Sequence, residues 1–384
     1  MPSSLYVNHA TSPLPADARP GPEVQVFHRT LPGYAPTPLR DMPALAELAG
    51  VGRVLVKDES SRLGLPAFKV LGASWATVLA VADRLGGSAD WGSLDDLGGS
   101  VADQLGSLRL AAATDGNHGR AVAHMARLLG IDATIAVPDG TAPARIDGIA
   151  SEGAEVIVSP GTYEDAVTLV AGMASDSTLI VSDTSWPGYE DVPRRVIEGY
   201  STIFAEIEDQ AAGSPIDLAV IPLGVGALGA SAGTCLRAGR DLDDAPLLVG
   251  VEPTSAACVV AAVRAGHLVE VPGPHDSIMA GLNCGLASML ALPTVTATFD
   301  AFLAIDDDRC RQAIRALADA GLDVGETGAA ALAGLLALVD EHRDELPVPN
   351  TATVLLLVTE GVTDPANFER IVGRRPHTRS GETR

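Results

Sequence analysis

Lysine is nearly missing from this 384-residue chain: of 26 basic residues, 24 are arginine and only Lys57 and Lys69 are lysine. Cysteine is almost as scarce, with Cys235, Cys258, Cys284 and Cys310 far apart and no CxxC pair. That spacing offers no metal motif and reads as buried or unbridged thiols of a reducing cytoplasm; it leaves open whether Cys258 and Cys284 pair. No uninterrupted apolar run reaches the ~18 residues of a membrane span. The start, MPSSLYVNHATSPLPADARP, has no basic stretch followed by an apolar one, so no signal peptide is expected. Positive charge is in the minority, and the net charge of -23 disfavours a nucleic-acid backbone or an anionic membrane as partner. A small anion remains open to it, because a few backbone amides suffice to hold one.

What the chain does have is alternation. From RVLVKDES (53–60) onward, short β-branched runs alternate with alanine-rich runs of helical period. One set runs LRLAAAT (108–114), GRAVAHMARLLG, DATIAVPD, APARIDGIASEG, AEVIVS, TYEDAVTLVAGMA and TLIVSD (178–183). A second has strands at 217–224, 247–253, 301–306 and 351–361, with helices at 227–239, 255–265, 308–320 and near 327–343. Strand–helix repeats with glycine or aspartate at the strand ends predict α/β architecture with parallel sheets. The expectation is two doubly wound open-sheet domains, a large one from 1–80 and 186–384 and a small one from 81–185. Residues 1–36 read as an extended arm, GGSADWGSLDDLGGSVADQLGS (86–107) as a surface insertion, and the tail HTRSGETR as disordered.

Three loops carry candidate chemistry. Gly224-Val225-Gly226-Ala227-Leu228-Gly229 follows a strand and opens a helix, where glycines let amides converge on a phosphate and the helix dipole assists. The loop satisfies GxGxxG, and Glu252 ends the next strand where the ribose-binding acid of a nicotinamide dehydrogenase is expected, so that reading stays open. A tight turn without ligand is the plainer alternative. In ATDGNHG, Thr114, Asp115, Gly116, Asn117 and His118 crowd a helix N-terminus, which suits a carboxylate or a phenolic oxygen; an ordinary N-cap with His118 solvated is the alternative. Asp183, in VSDTSW, ends another strand. Ligands of open α/β sheets sit beyond the carboxyl ends of strands, which is where Asp115, Asp183 and the 224–229 loop all fall.

Lys69 lies among apolar neighbours in PAFKVLG (66–72). Such a lysine can snorkel its ammonium to water. This chain, however, writes nearly all its other cations as arginine, and arginine cannot lose a proton and attack a carbonyl. An apolar site shifts a lysine amine toward the form a Schiff base needs. A carbonyl cofactor that also carries a phosphate is pyridoxal phosphate. Lys57, in VLVKDES, reads as structural.

The combination of AFKVLGAS, ATDGNHG, a late GVGAL loop and LVTEG resembles the fold-type II pyridoxal-phosphate enzymes, the tryptophan-synthase-β and threonine-dehydratase superfamily. Within it, DESSRLGLPAFKVLGASWA, SDTSWPGYEDVP, IMAGLNCG and TEGVTDP are most similar to diaminopropionate ammonia-lyases. Trp75 and Asn283 depart from the family pattern. The resemblance implies that Lys69 carries the cofactor as a Schiff base and Asn117 bonds its phenolic oxygen. Amides of Gly224, Val225, Gly226, Ala227 and Leu228 would hold the phosphate, and Thr359 would face the pyridine nitrogen. Asp115 and Asp183 would act as acid–base groups, and the loop Thr114, Asp115, Gly116 and His118 would receive the substrate carboxylate. The implied reaction is α,β-elimination of 2,3-diaminopropionate, or a related β-substituted amino acid, to pyruvate and ammonia, in a cytoplasmic homodimer. A serine or threonine dehydratase and a non-catalytic pyridoxal-phosphate-binding protein are the competing readings, alongside the dehydrogenase.

Overall fold

The computed structural model describes residues 3–87, 92–114 and 116–377. Its strands are β1 (Ser4–Val7), β2 (Leu39–Asp41), β3 (Arg53–Asp58), β4 (Arg109–Ala113), β5 (Asp132–Pro138) and β6 (Glu155–Ser159), then β7 (Thr178–Ile180), β8 (Leu218–Pro222), β9 (Leu247–Pro253), β10 (Ala301–Ile305) and β11 (Thr353–Val358). Among the described residues they form a seven-stranded sheet in the order β1-β10-β9-β8-β11-β3-β2 and a four-stranded sheet in the order β6-β5-β4-β7. The five central strands of the larger sheet are parallel, with β1 and β2 added antiparallel at its edges; the smaller sheet is parallel throughout.

Parallel strands covered on both faces have no polar alternation, and LAVIP of β8 and AFLAI of β10 are buried at every position. The period-2 geometry of a strand then divides the core. Ala219 and Ile221 join the cluster that includes Ala227 and Ala230 of the helix Ala227–Arg237. Leu218 and Val220 join Leu332, Leu335 and Leu338 of the helix Glu326–Glu341 on the other face.

The N-terminal arm is more ordered than its composition indicates. β1 pairs with β10, and Glu23–Thr30 is a helix whose buried residues, Val24 and His28, are four apart. Two buried positions in a polar stretch are too sparse a stripe to stand out. His28 sets its Nε2 2.9 Å from the Leu71 carbonyl and its Nδ1 2.7 Å from Thr202 Oγ1, tying the arm to the lysine-bearing helix. Burial pushes this imidazole down to about 3, so it is neutral at ordinary pH.

The expected surface insertion also contains a helix, Leu94–Leu105, capped by Ser93 and burying Leu97 and Val101. Gly98 within it marks close approach: a Cβ there would lie 2.5 Å from the Leu129 carbonyl oxygen. Residues 88–91 of that stretch lie outside the described residues, as does the tail after His377, whose backbone amide and ring both meet Asp323.

Lys57 is fully buried on β3, with its Nζ 2.7 Å from Glu206 Oε2, 2.8 Å from the Thr37 carbonyl and 3.0 Å from Gln210 Oε1. Arg62, also buried, bridges Glu59 and Glu206. With its members hydrogen-bonded, such a network is structural, as expected for Lys57. All four cysteines are buried and none is in a disulfide. Among the described residues no helix is long and apolar enough to cross a membrane, and no cluster of side chains could hold a metal ion.

Candidate active site

Lys69 is the first residue of the helix Lys69–Arg84, and two glycines set where that helix lies. A Cβ on Gly72 would stand 2.5 Å from Tyr200, and one on Gly199 2.5 Å from the Leu71 carbonyl oxygen, so both are needed for the close packing against Asp191–Gly199. This placement points Lys69 into a pocket at the carboxyl ends of β4, β8 and β11. Thr114, Asn117 and His118 enter from the β4 loop, and the Gly224–Leu228 loop comes from β8. Asp183, beyond β7, and Thr359, after β11, also line it.

A cation at a helix N-terminus is disfavoured by the helix dipole. Asp183 offsets this: its Oδ2 lies 2.5 Å from Lys69 Nζ, while its Oδ1 accepts from the Tyr163 hydroxyl at 3.2 Å. Burial acts to raise the Asp183 carboxyl, but the charge of Lys69 and the hydrogen bonds from Lys69 and Tyr163 outweigh it and hold the group far below the usual carboxylate range. His118 Nε2 lies 2.8 Å from the Val181 carbonyl, which only accepts, so that nitrogen carries the hydrogen. Its Nδ1 stands 3.9 Å from Asp183 Oδ2 and has no hydrogen-bond partner among the described residues. Burial pushes the His118 imidazole down, leaving a neutral ring beside the lysine–aspartate pair.

The glycine loop is built for an anion. Gly226 takes φ 97° just before the helix Ala227–Arg237, and no side chain caps that helix among the described residues. Its first amides have no intrahelical acceptor, which is the arrangement that suits an anion. Glu252, the acid a dehydrogenase would turn to a ribose, is buried and accepts from the amides of Val259 and Val260 at 2.8 Å each. It caps a neighbouring helix instead, which removes the support for the dinucleotide reading. Burial raises this carboxyl to about 8 against the two amide hydrogen bonds. Because the folded form then binds a proton the unfolded chain has released, Glu252 costs stability as pH rises from about 4.5 to about 8. Glu252→Gln is expected to flatten that decline, measured as melting temperature against pH.

The asparagine loop departs in part from expectation. Thr114 lines the pocket, but its hydroxyl oxygen accepts from the amides of Gly116 and Gly119 at 2.9 and 3.0 Å, as a cap. Gly116, at φ 147°, lines a neighbouring cavity with Arg120 and Arg145 rather than the lysine pocket. His118 is buried against Asp183 rather than solvated, and it still lines the lysine pocket. Asp115 lies outside the described residues. Asn117 donates its side-chain amide to Glu360, a buried pocket residue that sequence reasoning passed over, as it did Tyr163. Their signals were present: Glu360 is the acid of LVTEG, and Tyr163 is the aromatic of TYEDAV.

Residues 30–360 match the family model described as pyridoxal-phosphate dependent enzyme. The chain belongs to the pyridoxal-phosphate-dependent enzyme family. It is 34% identical over 386 aligned residues to the diaminopropionate ammonia-lyase of Escherichia coli K12, covering 97% of this chain and 96% of that protein. Two crystal structures of the E. coli enzyme, in complex with D-serine and with an aminoacrylate-PLP azomethine reaction intermediate, match with TM-scores of 0.87 and 0.86 at 30% identity, each covering 96% of both chains.

The pocket fits the family's cofactor. It offers a reachable amine on Lys69, whose side chain is 20% exposed, and an uncapped helix N-terminus for a phosphate. The Thr359 hydroxyl lines it too, donating to the Thr327 carbonyl at 3.3 Å. Gly226→Ala would strain the cradle by about 1–2 kcal/mol, the cost of a left-handed conformation for a residue with a Cβ. About a tenfold weaker affinity for pyridoxal phosphate is expected in titrations of the apo-protein. Trp75 and Asn283 do not line this pocket. Trp75 packs 5.4 Å from Phe27 and donates to Glu198, and Asn283 donates to the Ser277 carbonyl at 2.8 Å.

Proposed function

We propose that this chain eliminates ammonia from 2,3-diaminopropionate, or a closely related β-substituted amino acid, to give pyruvate and ammonia. The observation that carries the reading is the pairing of Lys69 with a buried, ionised Asp183 in a pocket that also opens on the Gly224–Leu228 loop. The resemblance to diaminopropionate ammonia-lyases over nearly the whole chain supports it. Pyridoxal phosphate, when bound, supplies the electron sink that makes the substrate's Cα–H acidic. Lys69 holds it covalently, the amides of Gly224, Val225, Gly226, Ala227 and Leu228 hold its phosphate, and Asn117 and Thr359 bind the ring edge. Thr114 and the first amides of the helix Asn117–Leu129 flank the position assigned to the substrate carboxylate.

The proton steps fall to Lys69 and the aspartates. Lys69, once its amine is released and uncharged, takes the Cα proton of the enantiomer it faces. Asp183 is ionised because Lys69 is a cation. With that charge gone, burial acts with less opposition and the carboxylate becomes a stronger base, able to serve the other enantiomer or to pass a proton to the departing β-amino group. Asp115, carried over from the sequence pattern, takes the remaining one of these two tasks. The Cβ–N bond breaks as the Cα–Cβ double bond forms, and water converts the enamine to pyruvate and a second ammonia.

Pyruvate release compared across L- and D-2,3-diaminopropionate, serine and threonine tests the substrate. A kcat/KM for serine or threonine above that for either diaminopropionate would replace this reading with a dehydratase. The division into residues 1–80 with 186–384 and 81–185, a homodimer and a cytoplasmic location belong to the same proposal, and light scattering on the holo-protein tests the dimer.

A further inference from the structure

Glu360 is the second carboxylate in the wall of the lysine pocket and is only 1% exposed. Its Oε1 accepts from the Thr327 amide at 3.1 Å, and Arg145 Nη2 stands 3.8 Å from the same oxygen. Thr327 lies in the first turn of the helix Glu326–Glu341, whose cap residue, Gly325, has no side chain to offer. The Glu360 carboxylate takes the cap's place. The approach is close: a Cβ on Gly325 would lie 2.8 Å from Glu360 Oε1, and one on Gly328 2.3 Å from the Glu360 carbonyl oxygen. With Oε1 fixed in this way, Oε2 accepts from Asn117 Nδ2.

A carboxylate only accepts hydrogen bonds, so the Asn117 atom against it must be the nitrogen. One N–H of that amide is committed to Glu360, and the second, with no partner among the described residues, is open to a ligand. An amide turned over would set its oxygen against the Glu360 oxygen, and the ligand would lose its donor. We propose that Glu360 is a positioning residue that fixes the Asn117 amide in the one orientation offering a donor to the cofactor's phenolic oxygen. This rests on the cofactor pocket assigned above and adds a residue that acts only through Asn117.

The test titrates apo-protein with pyridoxal phosphate and records Kd and the absorption maximum of the bound form, with a melting temperature for each variant. Glu360→Gln places a donor where Asn117 or Thr327 also donates, and about a tenfold rise in Kd with a shifted absorption maximum is expected. Asn117→Ala should give a similar loss, and the double variant E360Q/N117A should bind no more weakly than N117A alone. The exchanged pair N117D/E360Q restores a hydrogen bond with donor and acceptor reversed. It should recover the melting temperature and still bind as weakly as N117A, which separates folding from orientation. Additive losses in E360Q/N117A, wild-type Kd and spectrum in E360Q, or wild-type binding by N117D/E360Q would each overturn the proposal. Failure of the wild-type chain to bind pyridoxal phosphate would instead overturn the cofactor pocket, and failure to turn over diaminopropionate only the substrate.

Discussion

Lys69→Ala is expected to lose the cofactor's absorption band near the visible edge and to lower kcat for diaminopropionate about 10⁴-fold or more, since both the covalent anchor and a proton-transfer group are removed. Lys69→Arg sharpens the test. An arginine can keep an ion pair with Asp183, 2.5 Å from the native amine, but cannot form the covalent bond. If the lysine served only as a cation, K69R would retain turnover; the covalent reading requires it to be as inactive as K69A. Borohydride reduction of the wild-type holo-protein followed by peptide mass analysis should place the cofactor on Lys69 and not on Lys57, which is fully enclosed by Glu206, Gln210 and the Thr37 carbonyl. A stability effect accompanies this in the apo-protein. The Asp183 carboxyl is held below its unfolded value by Lys69, so the pair contributes stability that is full above the usual carboxylate range and is lost as pH falls from that range toward the lower folded value. K69A removes that contribution and leaves burial to raise the carboxyl. Its melting temperature should therefore fall furthest behind wild type near neutral pH and approach it in acid.

Much of this was legible in the residues because local pattern and tertiary role coincide there. The buried parallel strands are continuous apolar runs, and the helices between them follow the 3.6-residue period, so β4 to β11 stand within a few residues of where the pattern puts them. Lys69 is legible for a chemical reason: in a chain that writes 24 of its 26 basic residues as arginine, a lysine among apolar neighbours stands out from Lys57, which lies in a charged stretch, and suits an amine that must be able to lose its proton. The glycine loop reads as an anion site from composition alone, yet its dehydrogenase alternative falls only on a long-range fact, the capture of Glu252 by the amides of Val259 and Val260.

The less legible features depend on contacts between distant segments. The helix Glu23–Thr30 shows only Val24 and His28 to the core, and nothing local announces that His28 meets Leu71 and Thr202. Thr114 has the same side chain whether it caps a helix or meets a ligand; only the amides of Gly116 and Gly119 decide. Glu360 ends a strand-like run as many surface acids do, and its burial follows from the closeness permitted by Gly325 and Gly328. Tyr163 reads as the first residue of an amphipathic helix until Asp183 is placed 3.2 Å from its hydroxyl.

Asp183→Asn keeps the shape of that site and removes its charge, and kcat for one enantiomer of diaminopropionate should fall about 10²–10⁴-fold, the range of a lost general acid or base. The cofactor band should persist, because no part of the cradle is changed, and KM should move little. The enantiomer that loses more reports the face of the substrate that Asp183 serves, since Lys69 still reaches the other. The pH profile separates chemistry from architecture. During turnover Lys69 is at some stage an uncharged amine, and the charge that held Asp183 below the usual carboxylate range is then absent. Burial, the largest influence on this group, should lift its titration, so that wild-type kcat declines on the acid side above the usual carboxylate range while D183N shows no such limb. A merely structural Asp183 would instead lower the melting temperature and affect both enantiomers equally at every pH. Equal losses for the two, or an acid limb that survives in D183N, would remove Asp183 from the chemistry and leave the proton steps to Lys69 and Asp115.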